Sequence, residues 1–280
     1  MSDIYGIIEE TARKEGFFEV FFTAPVKTEG WRKCADEKGL KNIVLFEDAK
    51  KAYPFAKCII LLMYPYEVFE EETHISPYYI ASNDAYHKTN GIVSKIRELG
   101  FRAEQAHIPL RAVFLENGIG KMSKNGLLRY ADYGSRIILF AIATDCVLPR
   151  EFEVKPTMDC DKNCDACKNA CPVTAISENG MEQRKCMRFY MDDVPYPDFV
   201  LDNIQHFMGC EICMYACREN ANVKKRKVTE EEQAAFDLNN LADGNDKEAR
   251  LMVGKNFTRH NKLQYEALNF IQREENKKET

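Results

Sequence analysis

CDKNCDACKNACP at residues 160–172 and CEICMYAC at residues 210–217, with Cys186 between them, gather eight of the chain's eleven cysteines into one short region. Written as spacing, this is Cys160-x3-Cys164-x2-Cys167-x3-Cys171-Pro172, then Cys186, then Cys210-x2-Cys213-x3-Cys217. A run of four thiols closed by Cys-Pro is close to the pattern that wraps [4Fe–4S] clusters, in which the Cys before Pro serves the neighbouring cluster. Eight thiolates are the number two such clusters need. Zinc also takes four-cysteine sites, but usually from two separated C-x2–4-C pairs, so a single run ending in Pro suits a cubane better. The N-terminus, MSDIYGIIEE, does not read as a signal peptide and no long apolar stretch spans a membrane. A disulfide framework is therefore not expected, and reduced thiols point to a cytoplasmic protein that handles electrons.

A chain of 280 residues has room for one large domain and a smaller one. A hydrophobic content of 45% and a charged content of 30% are ordinary for a globular protein. The net charge of −5 argues against general nucleic-acid binding, which leaves a basic footprint. The local run Lys224, Lys225, Arg226 and Lys227, followed by Glu230, Glu231 and Glu232, reads as a solvated linker rather than a phosphate site.

Outward from the cysteines, residues 1–150 read as interleaved helices and strands. Ile4, Ile7, Ile8 and Ala12 recur at helical spacing, with Gly16 placed to end the helix. Phe17–Phe22 and the run CIILLM (58–63) are strand candidates, and SRIILFAIAT (135–144) is a long one. Asp84–Leu99 makes a helix with Ile92, Val93, Ile96 and Leu99 on one face, and Pro109 opens another that runs to Asn117. The alternation is too uneven for a doubly wound parallel sheet, so a mixed α/β sandwich of the α+β class is expected. In the cysteine region, Pro172 is placed to start a short helix, and Cys210, Cys213 and Cys217 at i, i+3 and i+7 would share one helix face. Beyond it, Thr229 with Glu232 forms a capping-box start, and Leu263, Tyr265, Leu268 and Ile271 mark a further helix whose extreme end, REENKKET, is expected to fray. The blocks are thus 1–150, 151–225 with both cysteine groups, and a helical tail over 226–280.

Four stretches resemble the epoxyqueuosine reductase and corrinoid reductive dehalogenase superfamily. They are FAKCIILLMYPY (55–66), YYIASNDAYHKTNGIVSKIRELG (78–100), GIGKMSKNGLLRYADYGSRIILFAIATD (118–145) and the cysteine region with KCMRFY (185–190). The resemblance covers roughly residues 40–220. It implies a nitroreductase-like, corrinoid-binding sandwich followed by a bacterial ferredoxin-like double-cluster domain. Cys160, Cys164, Cys167 and Cys217 would hold the first [4Fe–4S] cluster, and Cys171, Cys186, Cys210 and Cys213 the second. Two positions depart from the family pattern: Cys160 has one residue too many before Cys164, and Arg218 stands where Pro usually follows the last Cys.

The same resemblance implies a cobalamin, faced by Gly118, Gly120, Lys124, Asn125, Tyr133, Gly134, Ser135 and Arg136. The simpler reading of these residues is a turn and a strand entry, with Arg136 in a surface ion pair. Where the reductases carry an acid three residues before the helix-opening proline, this chain has Ala106. Glu104, His107 and Tyr86 are the remaining proton-donor candidates, each with an ordinary structural explanation as well. Tyr78 and Tyr79 read as packing residues, and Cys34, Cys58 and Cys146 stand outside the cluster pattern, Cys58 as a small buried hydrophobe. The expected activity is an iron–sulfur, cobalamin-dependent reductase fed by ferredoxin or flavodoxin. Its substrate would be a small molecule or a modified nucleoside, with tRNA disfavoured by the acidic charge. The other expectation is an electron carrier or a reductase of another protein's cofactor, without a corrinoid of its own.

Overall fold

The computed structural model describes residues 3–25, 49–255 and 257–278; Cys34 lies outside them. The chain divides into two compact units. The first comprises Met1–Pro65, Ala85–Ser123 and Leu127–Cys160; the second comprises Tyr66–Asp84, Lys124–Gly126 and Asp161–Thr280. The cysteine region from residue 161 and the C-terminal helices therefore lie in one unit, with two short segments from the N-terminal half.

The first unit is built on four antiparallel strands: β1 (Glu19–Thr23), β2 (Cys58–Pro65), β3 (Ala103–Gln105) and β4 (Ile137–Thr144), in the order β1-β2-β4-β3. The longer helices that accompany them are α1 (Ile4–Lys14), the part of α2 (Pro77–Glu98) from Ala85 onward, and α3 (Leu110–Glu116). Successive side chains of β2 point to opposite faces. Ile59, Leu61 and Met63 join Phe21, Ala141 and Ala143 in a core completed by Val113 and Phe114 of α3. Cys58, Ile60 and Leu62 join Phe22 and Ile142 in the other, with Ile8 and Ala12 of α1 and Ala85, Ile92, Val93 and Ile96 of α2. A strand covered on both faces must be apolar at every position, which is why CIILLM does not alternate. Helices on both faces of a sheet give the mixed α/β layering expected from the sequence.

Element ends differ from expectation where local chemistry intervenes. Helix α2 begins at Pro77 rather than Asp84, because proline's fixed φ and missing N–H suit the first helical position. Pro109 caps α3 from outside instead of opening its first turn. Helix α1 starts where the Asp3 carboxylate accepts the Tyr5 amide at 3.1 Å and stops before Gly16, whose φ of +91° only glycine adopts without strain.

In the second unit, Pro172 does not start a helix. Thr174 has a φ of +50°, which turns the chain toward the paired strands Ile176–Ser177 and Gly180–Met181. The last three cysteines do not share a helix either: the helical turn is confined to Ile212–Tyr215, so Cys210 precedes it and Cys217 follows it. The basic run is more than a linker. Lys225–Arg226 pairs in parallel with Val68–Phe69, and the Arg226 guanidinium forks onto Glu232 at 2.7 and 2.5 Å. Glu232 also closes the expected capping box with Thr229 at the start of α4 (Glu230–Ala235). Helices α5 (Leu238–Ala242), α6 (Lys247–Val253) and α7 (Lys262–Lys278) follow. Their Leu241, Ala249, Val253, Leu263 and Ala267 bury against Phe207 and Phe236, and α7 runs on to Lys278, the last described residue of the segment expected to fray.

Candidate metal centre and its surroundings

All ten described cysteines are free thiols. Cys58 and Cys146 sit in the first unit, and burial pushes Cys58 up to about 12, the state of an inert core thiol. Cys160 is the last residue of the first unit, and the other seven of the cysteine region lie in the second.

Cys171, Cys186, Cys210 and Cys213 come together from three separate stretches. Burial raises Cys186, Cys210 and Cys213, the last two to about 12, and neighbouring thiols raise them further: Cys171 acts on Cys186 and Cys210, Cys186 on Cys210 and Cys213, and Cys210 and Cys167 on Cys213. Such thiols stay protonated unless a metal takes them as thiolates, so their clustering suits ligands rather than nucleophiles. Each sulfur also receives an N–H. The Ala175 amide lies 3.3 Å from Cys171 Sγ, backbone amides of Arg188 and Phe189 serve Cys186, and that of Ile212 serves Cys210. Cys213 takes its hydrogen bond from the Asn125 side chain.

The two departures from the family pattern meet in one ion pair. Asp161, the residue after Cys160, accepts the Asn163 amide at 2.9 Å and so shapes the turn into Cys164. The same carboxylate binds Arg218 at 2.9 Å, beside Cys217, and Arg218 also feels the Cys164 thiol. The lengthened loop and the missing proline are thus parts of one local arrangement.

Among the described residues, no three His, Cys, Asp or Glu side chains converge as a group for a single metal ion. A cubane carries its thiolates on outer corners, further apart than the ligands of one ion, and asks for four cysteines per cluster. The donor set, all sulfur and supplied with N–H groups, fits that chemistry.

The residues expected to face a corrinoid separate into two groups. Lys124 and Asn125 belong to the second unit, where they serve the cysteines. The Lys124 ammonium is 2.7 Å from the Lys162 carbonyl, 2.9 Å from that of Cys164 and 3.3 Å from Asp165 Oδ1. Gly118, Gly120, Tyr133, Gly134, Ser135 and Arg136 belong to the first unit. A Cβ on Gly120 would lie 2.5 Å from the Arg129 carbonyl oxygen, so its own chain accounts for the glycine. Tyr133 stacks on Phe18 at 3.8 Å. Arg136 is 2% exposed, a buried side chain where the turn-and-strand reading placed it at the surface. Buried polar atoms without hydrogen-bond partners in this unit include Ser123 Oγ and Gln105 Nε2.

The three proton-donor candidates are not assembled into a site. Glu104 is engaged by Arg102 at 2.8 Å, His107 is exposed with its amide on the Tyr53 hydroxyl, and Tyr86 is exposed, edge-on to His87. Ala106 is buried. Two polar groups stand out beyond these: one on Tyr79, read from the sequence only as a packing residue, and one on Glu266, which the sequence did not single out. The Tyr79 hydroxyl is buried without a hydrogen-bond partner. Glu266, fully buried in α7, accepts the Tyr196 hydroxyl at 2.7 Å and the Met208 amide at 2.8 Å, just ahead of Cys210. A carboxylate between Leu263 and Phe270 on an apolar helix face was the available signal for it.

A mixed α/β body joined to an eight-thiol region is the organisation of a redox protein. No known protein-family model matches the chain. Curated proteins similar to it are epoxyqueuosine reductases. That of Synechocystis sp. is 32% identical over 108 residues, 37% of this chain and 36% of the relative. That of Leadbetterella byssophila is 27% identical over 202 residues, 65% of each chain. In the alignments with the Synechocystis, Aliivibrio fischeri and Synechococcus reductases the chain spans only about a third of the length of these relatives. An epoxyqueuosine reductase structure from Streptococcus thermophilus gives a TM-score of 0.71 at 21% identity, covering 95% of this chain and 80% of that one. One solved with a tRNA-Tyr epoxyqueuosine-modified tRNA stem loop gives 0.73 at 20% identity, covering 95% and 81%. A catabolic reductive dehalogenase gives 0.50 at 14%, covering 95% and 35%. The chain therefore has the mixed α/β fold of the epoxyqueuosine reductases and resembles those enzymes in sequence, and the likeness to the reductive dehalogenase is one of fold. Among the described residues, no helix is long and apolar enough to cross a membrane.

Proposed function

We propose that the chain is an iron–sulfur oxidoreductase of the epoxyqueuosine reductase type, with Cys160, Cys164, Cys167 and Cys217 holding one [4Fe–4S] cluster and Cys171, Cys186, Cys210 and Cys213 the other. The observation that carries this is that the second four thiols lie near enough to influence one another, and each is supplied with an N–H donor. When bound, the clusters relay single electrons and a cobalamin supplies a strongly reducing, nucleophilic metal. The chain's own share is to position these groups and keep water from them. Gly118, Gly120, Tyr133, Gly134, Ser135 and Arg136 remain the residues to hold a corrinoid in a nitroreductase-like body, and the unsatisfied Ser123 hydroxyl and Gln105 amide suit a polar ligand edge.

Electrons would come from a ferredoxin or flavodoxin in the cytoplasm. The substrate class is a small molecule or modified nucleoside, in line with the tRNA stem loop bound by a structural neighbour. Ala106 favours a second reading, since an alanine cannot donate a proton: an electron carrier or reductase of another protein's cofactor. Anaerobic reconstitution with iron, sulfide and cobalamin separates the two. The first reading expects about eight irons and stoichiometric corrinoid with a base-off cobalt EPR signal. Full iron without corrinoid uptake would leave the carrier, and failure to take up iron would sink both.

A further inference from the structure

Three of the second-set sulfurs take their N–H from the backbone, which side-chain substitution other than to proline leaves in place. Cys213 takes its own from the side chain of Asn125, a residue 5% exposed. The preceding residue addresses the other cysteine loop. Lys124, with its side chain 14% exposed, holds the carbonyls on either side of Asn163 and has Asp165 and Glu178 at 3.3 and 3.8 Å. A largely buried ammonium is costly unless its partners are good, and four acceptors hold this one in a single place. Gly126 completes the turn at a φ of +75°, packed on Met181. Two adjacent side chains therefore reach one cysteine group each.

We propose that Lys124 and Asn125 set the reduction potentials of the two clusters separately, Lys124 that of the cluster bound by Cys164 and Asn125 that of the cluster bound by Cys213. The proposal rests on the iron–sulfur reading above. Reduction adds one negative charge to a cluster. A fixed cation beside its loop and an N–H aimed at its sulfur both favour the reduced state, and so raise the potential. Lys124 acts as a positioning residue as well, because it pins the backbone on both sides of the turn into Cys164.

The test uses the full chain, reconstituted anaerobically with iron and sulfide, with metal content measured and both midpoints followed by EPR. Cys164→Ser and Cys213→Ser assign the two signals. Lys124→Met is expected to move only the signal altered by Cys164→Ser to more negative potential, and Lys124→Arg to keep the wild-type value. Asn125→Leu is expected to move only the signal altered by Cys213→Ser, in the same direction. If Lys124→Met loses iron, Lys124→Gln is read in its place, and Asn125→Leu stands independently. Unchanged midpoints in iron-replete variants, or both variants moving one signal, overturn the proposal. A wild-type chain that takes up no iron overturns instead the reading on which it rests.

Discussion

Glu266 ties the stability of the second unit to pH. Burial, opposed by Lys262, by the Tyr196 hydroxyl and by the Met208 amide, pushes its carboxyl up to about 7 from an ordinary 4.5. Between those values the folded chain keeps a proton that the unfolded chain has released. Its contribution to stability is therefore complete below the unfolded value and is lost as pH rises through 7. The span is on the order of 3 kcal/mol for a fully buried group. The thermal midpoint of the wild type should fall more steeply between about pH 5 and about pH 8 than that of Glu266→Gln, whose amide has no proton to lose. Parallel profiles would mean that Glu266 does not titrate in this window. The same carboxylate holds the amide of Met208, a non-glycine residue at a φ of +60° that leads into Cys210.

At the scale of elements, Gly120 shows a constraint that the sequence suggested for one reason and the fold explains by another. Its φ is +78°, and the Arg129 carbonyl occupies the place a Cβ would need. Lys121–Met122 and Leu128–Arg129 pair immediately beyond it, so the close approach belongs to the strand pairing itself. Gly120→Ala should cost roughly 2 kcal/mol, from strain at a left-handed φ together with a backbone clash. Gly118→Ala, which meets nothing within 4 Å, should cost less. Chemical denaturation of the two variants checks the order, and equal losses would show that φ alone decides. Elements with strong local signals were legible in this way: β2, β4, the end of α1 and the capping box of α4 all follow from apolar runs, glycine and Thr229–Glu232 chemistry. The helix expected at Pro172 and the shared face expected for Cys210, Cys213 and Cys217 were not. Their backbones bend around the thiols, and spacing rules for regular helices do not apply there.

Across the whole molecule, the cysteines were legible because thiol spacing is a local code, whereas their partners were not. Asn125 and Glu266 lie far along the chain from the sulfurs and turns they serve, and no periodicity links them. Lys124 and Asn125 were read as facing a corrinoid because their loop resembles the family's corrinoid-facing loop; the fold also brings them to the cysteine loops, which no local signal announced. The same long-range assembly gives crossed ligation a measurable consequence. Cys171 follows Cys167 closely in sequence, yet its thiol acts on Cys186 and Cys210. Cys217 ends beside Arg218, which reaches back to Asp161 and the Cys164 loop. Cys171 should therefore belong to a different cluster from Cys164 and Cys167, and Cys217 to a different one from Cys210 and Cys213. In reconstituted protein, Cys171→Ser and Cys186→Ser should alter one EPR signal, and Cys164→Ser and Cys217→Ser the other, each pair sparing its counterpart. Serine keeps the shape of the side chain while weakening the metal bond, so the fold is retained and the signals report ligation alone. If Cys171→Ser instead perturbs the signal shared by Cys164 and Cys167, each cluster takes its ligands from one continuous run, and the crossed assignment fails while the eight-iron count stands.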